Sequence, residues 1–301
     1  MKTLAYTLVS ADGAASDAEA GEVDDDARTR PARWMVFLHG ILGTRANWRT
    51  IARRFCEARP EWGAVLVDLR EHGDSLGFPP PHTVAACAAD LDDLATALAS
   101  GGSGAGDAPG DVRIAGALGH SFGGKVALAW AQRRDARGEP LDALWLIDSC
   151  PGPRPLRESD EPLRVLSLLE RLSFPMADLA TFKRAVIDAG FSEPLAAWLA
   201  LNLERLPSGE RALAIDPSAI RALLEDYGHL DLWPAFEHPP RASVYHAVVA
   251  GRSDVYAPSD LERARRAAAA DPHVRVDLIP EAGHSIHVDA PGTLLGLLAE
   301  T

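Results

Sequence analysis

Leu118-Gly119-His120-Ser121-Phe122-Gly123-Gly124 is the segment with the clearest structural signal in the chain. It contains the pattern Gly-x-Ser-x-Gly, in which the serine stands on a sharp turn between a strand and a helix. The apolar run Val112–Leu118 predicts a buried strand before the turn, and the spacing from Lys125 to Arg134 predicts a helix after it. Glycines two residues before and after the serine fit this turn, because a Cβ at either position would collide across it. We therefore interpret Ser121 as a reactive serine.

Strand and helix patterns alternate on both sides of this turn. The predicted elements before residue 151 are a first strand within Met1–Ser10, strand Trp34–Leu38, a helix around Asn47–Ala58, strand Ala64–Leu69, helix Thr83–Ser100, the two elements around Ser121, and strand Leu144–Asp148. The same order resumes with strand Ser243–Ala250, helix Ser259–Ala270, strand Val274–Ile279 and helix Pro291–Ala299. Such alternation predicts an α/β fold with a mostly parallel, doubly wound sheet, formed by residues 1–150 and 241–301.

Residues 151–240 interrupt the alternation. Amphipathic helices are predicted there at Leu163–Leu172, Leu179–Ala189, Pro194–Leu206 and Pro217–Tyr227. Because open α/β sheets bind ligands at the carboxyl ends of their strands, we expect this insertion to form a helical cap over that edge. Residues 11–33 are acidic and lack an apolar period, and Gly101–Gly110 is rich in glycine, so both are expected to be exposed connections.

The composition indicates a globular protein with a large core. The chain has 301 residues, of which 47% are hydrophobic, and 30 Lys+Arg against 43 Asp+Glu give a net charge of −13. This charge repels nucleic acids and anionic membranes, so neither is an expected partner. Cys56, Cys87 and Cys150 have no C-x-x-C spacing, and no apolar run approaches the length of a membrane span. We expect a cytoplasmic monomer or homodimer with reduced thiols.

A serine hydroxyl needs a base that accepts its proton, and the sequence offers a histidine in the expected place. His284 follows the last predicted strand and is preceded by Gly283. His287 is the rival on position, although it is better suited to packing against the final helix. No histidine pair has the spacing of metal ligands on a recognisable helix, so we expect neither a metal nor another cofactor.

Two aspartates compete for the role of the acid that orients the histidine. Asp254 follows the strand Ser243–Ala250 in a tight loop, and Asp148 ends the strand nearer to the serine. Either carboxylate could accept the Nδ1 proton of the imidazole and stabilise the imidazolium. On position we favour Asp254 and keep Asp148 as the alternative.

Acyl transfer also requires two N–H donors for the developing oxyanion. The backbone of Phe122, directly after the serine, should supply one, and Ile41 in the loop His39-Gly40-Ile41-Leu42-Gly43 should supply the other. The residues predicted to line the substrate pocket are His39, Gly40, Leu42, His120 and Trp233. His39 could also prop its loop through hydrogen bonds.

These motifs together resemble the α/β-hydrolases of the serine-esterase type. More narrowly, the segments Val67–Ser75, Gly119–Lys125, Ala189–Phe191 and Asp231–Pro234 resemble the YbfF-like bacterial esterases and abhydrolase domain-containing protein 11. The resemblance implies hydrolysis of short acyl esters and, in some members, of acyl-CoA thioesters. It also implies that Asp148 can serve as the acid, because the loop matching Gly251–Tyr256 often lacks an aspartate in that group.

The expected function is hydrolysis of carboxylic esters through an acyl-enzyme on Ser121. The same residues could also serve thioester hydrolysis, lactone opening or carbon–carbon bond hydrolysis, because all form an oxyanion at the same place. A binding protein of slow turnover is the alternative outside enzymes. A stoichiometric burst without steady turnover would distinguish it.

Overall fold

The computed structural model describes residues 2–11, 31–101 and 112–300 of the chain. The two predicted connections, residues 11–33 and Gly101–Gly110, fall almost entirely outside this part. The described strands are β1 Tyr6–Val9, β2 Arg33–Leu38, β3 Trp62–Val67, β4 Ile114–His120, β5 Ala143–Ile147, β6 Leu203–Arg205, β7 Arg211–Leu213, β8 Val244–Ala250 and β9 Val274–Ile279. The described α-helices are α1 Arg49–Ala58, α2 Val84–Ser100, α3 Phe122–Asp135, α4 Glu161–Arg171, α5 Leu179–Asp188, α6 Glu193–Leu199, α7 Pro217–His229, α8 Trp233–Glu237, α9 Pro258–Ala270, α10 Ile286–Asp289 and α11 Pro291–Leu298.

The main sheet of the described residues has seven strands in the order β1-β3-β2-β4-β5-β8-β9. Every neighbouring pair is parallel except β1 with β3, which lies antiparallel at one edge. Helices α1 and α11 pack on one face of the sheet, and α2, α3 and α9 pack on the other. The predicted mostly parallel, doubly wound α/β sheet is therefore confirmed.

The sheet brings the candidate residues to one edge. The carboxyl ends of β2, β4, β5, β8 and β9 lead directly into the segments that carry His39, Ser121, Asp148, Asp254 and His284. Because these strands are parallel, all five segments lie on the same side of the sheet. β4 sits at the centre, between β2 and β5, so Ser121 lies in the middle of this edge.

The segment between β5 and β8 contains α4 to α8 and a small hairpin of β6 and β7. The sequence predicted a continuous helix over Pro194–Leu206, and this was wrong: α6 ends at Leu199, and a single 3-10 turn, Ala200–Asn202, leads into β6. The hairpin forms because Gly209 adopts φ +91° and the N–H of Leu206 donates to the C=O of Glu210 at 2.9 Å. A local turn therefore ends the helix where amphipathic spacing alone extended it. The short helix α8 was not predicted.

Two further observations concern the whole described chain. None of its helices combines the length and the apolar character that crossing a lipid bilayer requires. Cys56, Cys87 and Cys150 are free and buried, and burial raises the pKa of the Cys56 and Cys150 thiols to about 12. These cysteines are therefore inert neutral thiols at neutral pH.

Candidate active site

Ser121 occupies the turn between β4 and α3 in a strained backbone conformation, with φ +52° and ψ −118°. Few residues with a side chain adopt a positive φ, and such strain is typical of functional positions. A Cβ on Gly119 would overlap the backbone of Gly123, and one on Gly123 would overlap the carbonyl oxygen of His39. Only glycine fits at either position. The predicted Gly-x-Ser-x-Gly turn therefore has the close backbone packing that its sequence requires.

Hydrogen bonds hold this turn on both sides of the serine. The N–H of Ser121 donates to the C=O of Ile147 at 3.0 Å. Its own C=O accepts the Ser149 hydroxyl at 2.6 Å and the Gly124 N–H at 3.0 Å. Because both the N–H and the C=O of Ser121 are hydrogen-bonded, the position of its Cα at the edge of the sheet is fixed.

His284 lies beside this turn and is hydrogen-bonded to Asp148. The distance from His284 Nδ1 to Asp148 Oδ2 is 2.7 Å, and Oδ1 of the same carboxylate accepts the N–H of Ala250 at 3.1 Å. The Asp148 side chain is fully buried, whereas 43% of the His284 side chain is exposed. Since a carboxylate accepts, Nδ1 carries the proton, which leaves Nε2 of His284 free to act as a base.

The preference for Asp254 as the partner of His284 is thereby corrected to Asp148. Asp254 is paired with Arg154 at 3.0 Å, and its side chain is 94% exposed. The hydrogen bond from Arg154 lowers the pKa of Asp254. Asp148 takes the position near the histidine because it directly follows β5, where its backbone adopts φ +42° and its N–H donates to Val248.

His120, the residue before the serine, links the turn to the histidine loop. Its Nε2 lies 2.8 Å from the backbone oxygen of His284, so Nε2 is the protonated nitrogen and donates. The His120 and His284 rings lie 4.6 Å apart, centroid to centroid. Burial lowers the pKa of His120 well below its usual value, with neighbouring histidines adding to the effect. His120 therefore acts as a neutral donor that holds the His284 backbone beside Ser121.

His287, the rival base, packs against Trp48 with ring centroids 4.9 Å apart. It also contacts His120 at 5.2 Å, and burial lowers its pKa to about 4. Because Asp148 binds His284, His287 lacks the orienting carboxylate that a base in this site requires. This places His287 among the packing residues around α10.

Two buried histidines support the loop after β2. His39 Nε2 accepts the N–H of Leu69 at 3.0 Å, and His72 Nε2 accepts the N–H of Leu42 at 3.0 Å. In each ring Nδ1 must then carry the proton, which it donates to the C=O of Gly40 from His39 and to that of Arg70 from His72. Burial lowers the pKa of His39 to about 4 and that of His72 to about 3. Both rings are therefore neutral and stabilise the loop after β2 through hydrogen bonds.

The predicted oxyanion donors lie on either side of the serine. Phe122 is the first residue of α3, so its N–H has no acceptor within the helix. A Cβ on Gly40 would lie 3.4 Å from the Ser121 Cβ, which places the loop against the serine. The N–H of Leu42 is taken by His72, whereas that of Ile41 has no acceptor among the residues described. The N–H groups of Ile41 and Phe122 thus have no acceptor among the described residues.

Three of the predicted pocket residues, His39, Leu42 and Trp233, are buried supporting or packing residues in the structure. Trp233 is 2% exposed and lies against Gly152 and the guanidinium of Arg263, which is 4.7 Å from its ring. Leu42 is likewise 2% exposed. His39 is 1% exposed. None of these three side chains has enough free surface to contact a ligand, so the expectation for them is corrected. Gly40 and His120 remain at the serine.

Sequence reasoning missed three residues that shape this site. Lys125 is buried one turn after Ser121, donates to the backbone oxygens of Tyr227 and Leu230, and has its pKa lowered to about 8 by burial. His72 holds Leu42, and Asn202 also binds that residue from the insertion. For Asn202 one signal existed, since it is a lone polar residue within the apolar run Trp198–Leu203.

Comparison with known proteins supports a shared family. Residues 35–296 match the model of a family described as the alpha/beta hydrolase family. The chain is 26% identical to the sn-1-specific diacylglycerol lipase ABHD11 of Danio rerio over 267 residues, which cover 85% of this chain and 74% of the lipase. It is 32% identical to the 2-succinyl-6-hydroxy-2,4-cyclohexadiene-1-carboxylate synthase of Serratia proteamaculans (strain 568) over 125 residues. That match spans 40% of this chain and only 38% of the synthase.

A solved structure described as a marine microorganism esterase superposes on the chain with a TM-score of 0.72. The superposition covers 100% of this chain and 99% of that one, at 18% sequence identity. Because the sequence identity is this low, the superposition shows a shared fold alone.

Proposed function

We propose, from the premise that this chain belongs to the alpha/beta hydrolase family, that it hydrolyses carboxylic esters of short to medium acyl chains through an acyl-enzyme on Ser121. The observation that carries the proposal is the 2.7 Å hydrogen bond between His284 and the buried Asp148, beside the strained turn of Ser121. A serine, a histidine oriented by a carboxylate and two free N–H donors are the groups that acyl transfer needs.

In the first step, Ser121 Oγ attacks the acyl carbonyl carbon while His284 Nε2 removes the hydroxyl proton. The carbonyl oxygen becomes an oxyanion that accepts the N–H groups of Ile41 and Phe122. Asp148 holds the His284 ring and stabilises the imidazolium. The tetrahedral intermediate then collapses, His284 returns the proton to the leaving alkoxide, and an alcohol departs.

In the second step, water replaces the alcohol. His284 removes a proton from water as its oxygen attacks the acyl-enzyme carbonyl, and the same two N–H groups bind the second oxyanion. Collapse releases the carboxylic acid, and the proton on His284 returns to Ser121 Oγ. The chain's own residues supply every group that this scheme uses.

Residues 151–240 act, in this proposal, as a cap over the site. Three contacts support this role. The Phe122 and Tyr227 rings lie 5.8 Å apart, and the Lys125 ammonium donates to the C=O of Tyr227 at 2.8 Å. Asn202 donates to the C=O of Leu42 in the loop after β2 at 3.1 Å. The insertion thus packs against both segments that flank the serine. We further propose a cytoplasmic location, which the free buried thiols of the described chain support.

The experiment that tests the proposal combines a serine probe with steady-state hydrolysis. Wild type and Ser121→Ala are incubated with an organophosphonate and analysed by intact-protein mass spectrometry. Turnover of p-nitrophenyl esters from acetyl to decanoyl is measured in parallel. Ser159→Ala, an exposed serine of the insertion, is the matched control. We expect one phosphonyl group on wild type and on the control, none on Ser121→Ala, and continuous turnover that requires Ser121.

Other outcomes identify other functions. Labelling with a burst of one equivalent and no steady turnover would support a binding protein. Labelling with faster turnover of acyl thioesters or lactones than of the matched oxygen esters would move the substrate class but keep the mechanism. Hydrolysis by Ser121→Ala at the wild-type rate would contradict the proposal.

A further inference from the structure

Asn202 is a buried polar residue of the insertion that binds the loop of the proposed oxyanion site. It is 3% exposed, and its Nδ2 donates to the C=O of Leu42 at 3.1 Å and to that of Leu199 at 3.3 Å. Because both neighbours are carbonyl oxygens, which only accept, the amide nitrogen must face them. The amide oxygen of Asn202 is buried and has no hydrogen-bond partner among the described residues.

Leu42, which Asn202 binds, stands at a strained position of a tight turn. The N–H of Gly43 donates to the C=O of Gly40 at 3.0 Å, which closes a turn with Ile41 and Leu42 at its centre. Leu42 adopts φ +61° there, a conformation that favours glycine and costs other residues about 1 kcal/mol or more. The turn persists because His72 accepts the Leu42 N–H and Asn202 donates to the Leu42 C=O.

We propose that Asn202 is a positioning residue: by holding the Leu42 carbonyl it keeps the Ile41 N–H aimed at the oxyanion. The inference rests on the proposed function, because it assigns Asn202 to the oxyanion loop of that reaction. It also makes the oxyanion site depend on the insertion, since one of the two supports of this strained turn comes from residue 202.

The way the insertion is attached supports this role. The part of the insertion that contains α7 is fixed to the core. The Lys125 ammonium donates to backbone oxygens at the end of α7, and the Val84 N–H donates to Asp226 at 2.8 Å. The outer half of the insertion, residues 173–215, is joined to the core by the hydrogen bond from Asn202 to Leu42. The hydrogen bond that Asn202 donates therefore links this outer half directly to the active-site loop.

The unpaired amide oxygen of Asn202 is a second observation that supports this role. A buried acceptor without a partner costs about 1–3 kcal/mol, and an apolar side chain would fill the position without that cost. An amide at this position is therefore favourable chiefly through its nitrogen, which binds Leu42.

The test compares Asn202→Asp and Asn202→Leu with wild type, using the exposed neighbour Leu201→Ala as the control. Aspartate keeps the shape but presents oxygen to the two carbonyl groups, and leucine removes the hydrogen bond. Active-site concentration is fixed by phosphonate titration, so loss of folded protein does not lower kcat. We expect kcat to fall about tenfold or more in both variants, with KM within twofold, because the support acts in the transition state. Affinity for a trifluoromethyl ketone, which forms the oxyanion adduct, should fall by the factor lost in kcat/KM. Leu201→Ala should stay within twofold of wild type.

A wild-type kcat per active site in either Asn202 variant would overturn the inference and leave the proposed function intact. If the wild-type protein shows no turnover that depends on Ser121, the proposed function itself is wrong. If both variants fail to fold, hydrogen exchange on wild type decides. The ketone must then protect the amides of residues 39–43 and 199–203 together, and protection of the loop alone would overturn the inference.

Discussion

Oδ2 of Asp148 lies 2.7 Å from Nδ1 of His284, and the Asp148 side chain is completely buried. Its other oxygen accepts the N–H of Ala250 at 3.1 Å, so the carboxylate is fixed between the ends of β5 and β8. A carboxylate held in this way can keep the imidazole in one tautomer and one orientation. This is the role of the acid in a serine–histidine–aspartate triad.

Replacing Asp148 by asparagine should therefore damage catalysis far more than folding. In Asp148→Asn the amide no longer fixes the Nδ1–H tautomer of His284, and we expect kcat to fall by about 10³–10⁴. The measurement is kcat on p-nitrophenyl acetate, normalised by active-site titration. Asp254→Asn is the control, because Asp254 is exposed and paired with Arg154, and its kcat should stay within threefold of wild type. The reverse ranking would return the acid role to Asp254.

The strained backbone of Ser121 should be visible in stability. Ser121→Gly removes the steric cost of a side chain at φ +52°, and Ser121→Ala keeps it. We expect the free energy of unfolding of Ser121→Gly to exceed that of Ser121→Ala by about 1 kcal/mol. Urea unfolding of the two inactive variants measures this difference. Equal stability would show that the turn is unstrained in solution.

The strand–turn–helix around Ser121 could be predicted from sequence because its requirements are local. Gly119 and Gly123 are needed within a few residues of the serine, and apolar runs flank them on both sides. The order of strands and helices followed from the same kind of short-range pattern. The proposed oxyanion donors, Ile41 and Phe122, also come from local motifs, because each follows directly on a strand.

The choice between Asp148 and Asp254 could not be made in this way. Both follow strands that end at the same edge, and their contacts are made by residues distant in sequence. Asp148 meets His284, 136 positions away, and Asp254 meets Arg154 in the insertion. Asn202 was missed for the same reason, since its partner Leu42 lies 160 positions away. Tertiary contacts, rather than local propensity, decide these assignments.

The glycines of the turn should tolerate no side chain. In Gly119→Ala the added methyl group would overlap the Gly123 backbone, which cannot move without displacing Ser121, and we expect a loss of about 3 kcal/mol or more in unfolding free energy. Gly296→Ala is the matched control. Gly296 lies in α11 with open space around its Cβ position, and alanine there should stabilise the protein by about 0.5–1 kcal/mol. Denaturant unfolding of both variants measures whether the free energy of unfolding falls or rises. An unchanged free energy of unfolding in Gly119→Ala would contradict the close approach seen at the turn.

Buried neutral histidines should make the protein unstable in mild acid, and His246 is the clearest case. Its ring stacks on Trp145 with centroids 3.7 Å apart, and burial, followed by the charge of Arg275, lowers its pKa from 6.5 to about 3. Between these two pH values the unfolded chain binds a proton that the folded chain excludes. The stability that His246 contributes is therefore complete above pH 6.5 and is lost as the pH falls toward 3.

His246→Phe keeps an aromatic ring on Trp145 but removes this titration. Between pH 7 and pH 5 we expect its free energy of unfolding to fall by roughly 2 kcal/mol less than that of wild type, because it no longer has a proton to exclude. Urea unfolding at both pH values measures the difference, and taking the difference between proteins cancels the carboxylates that titrate in both. His229→Asn, which replaces an exposed histidine, should follow the wild-type dependence. Parallel pH curves for wild type and His246→Phe would mean that the folded protein accommodates a charged His246, which the packing against Trp145 does not allow.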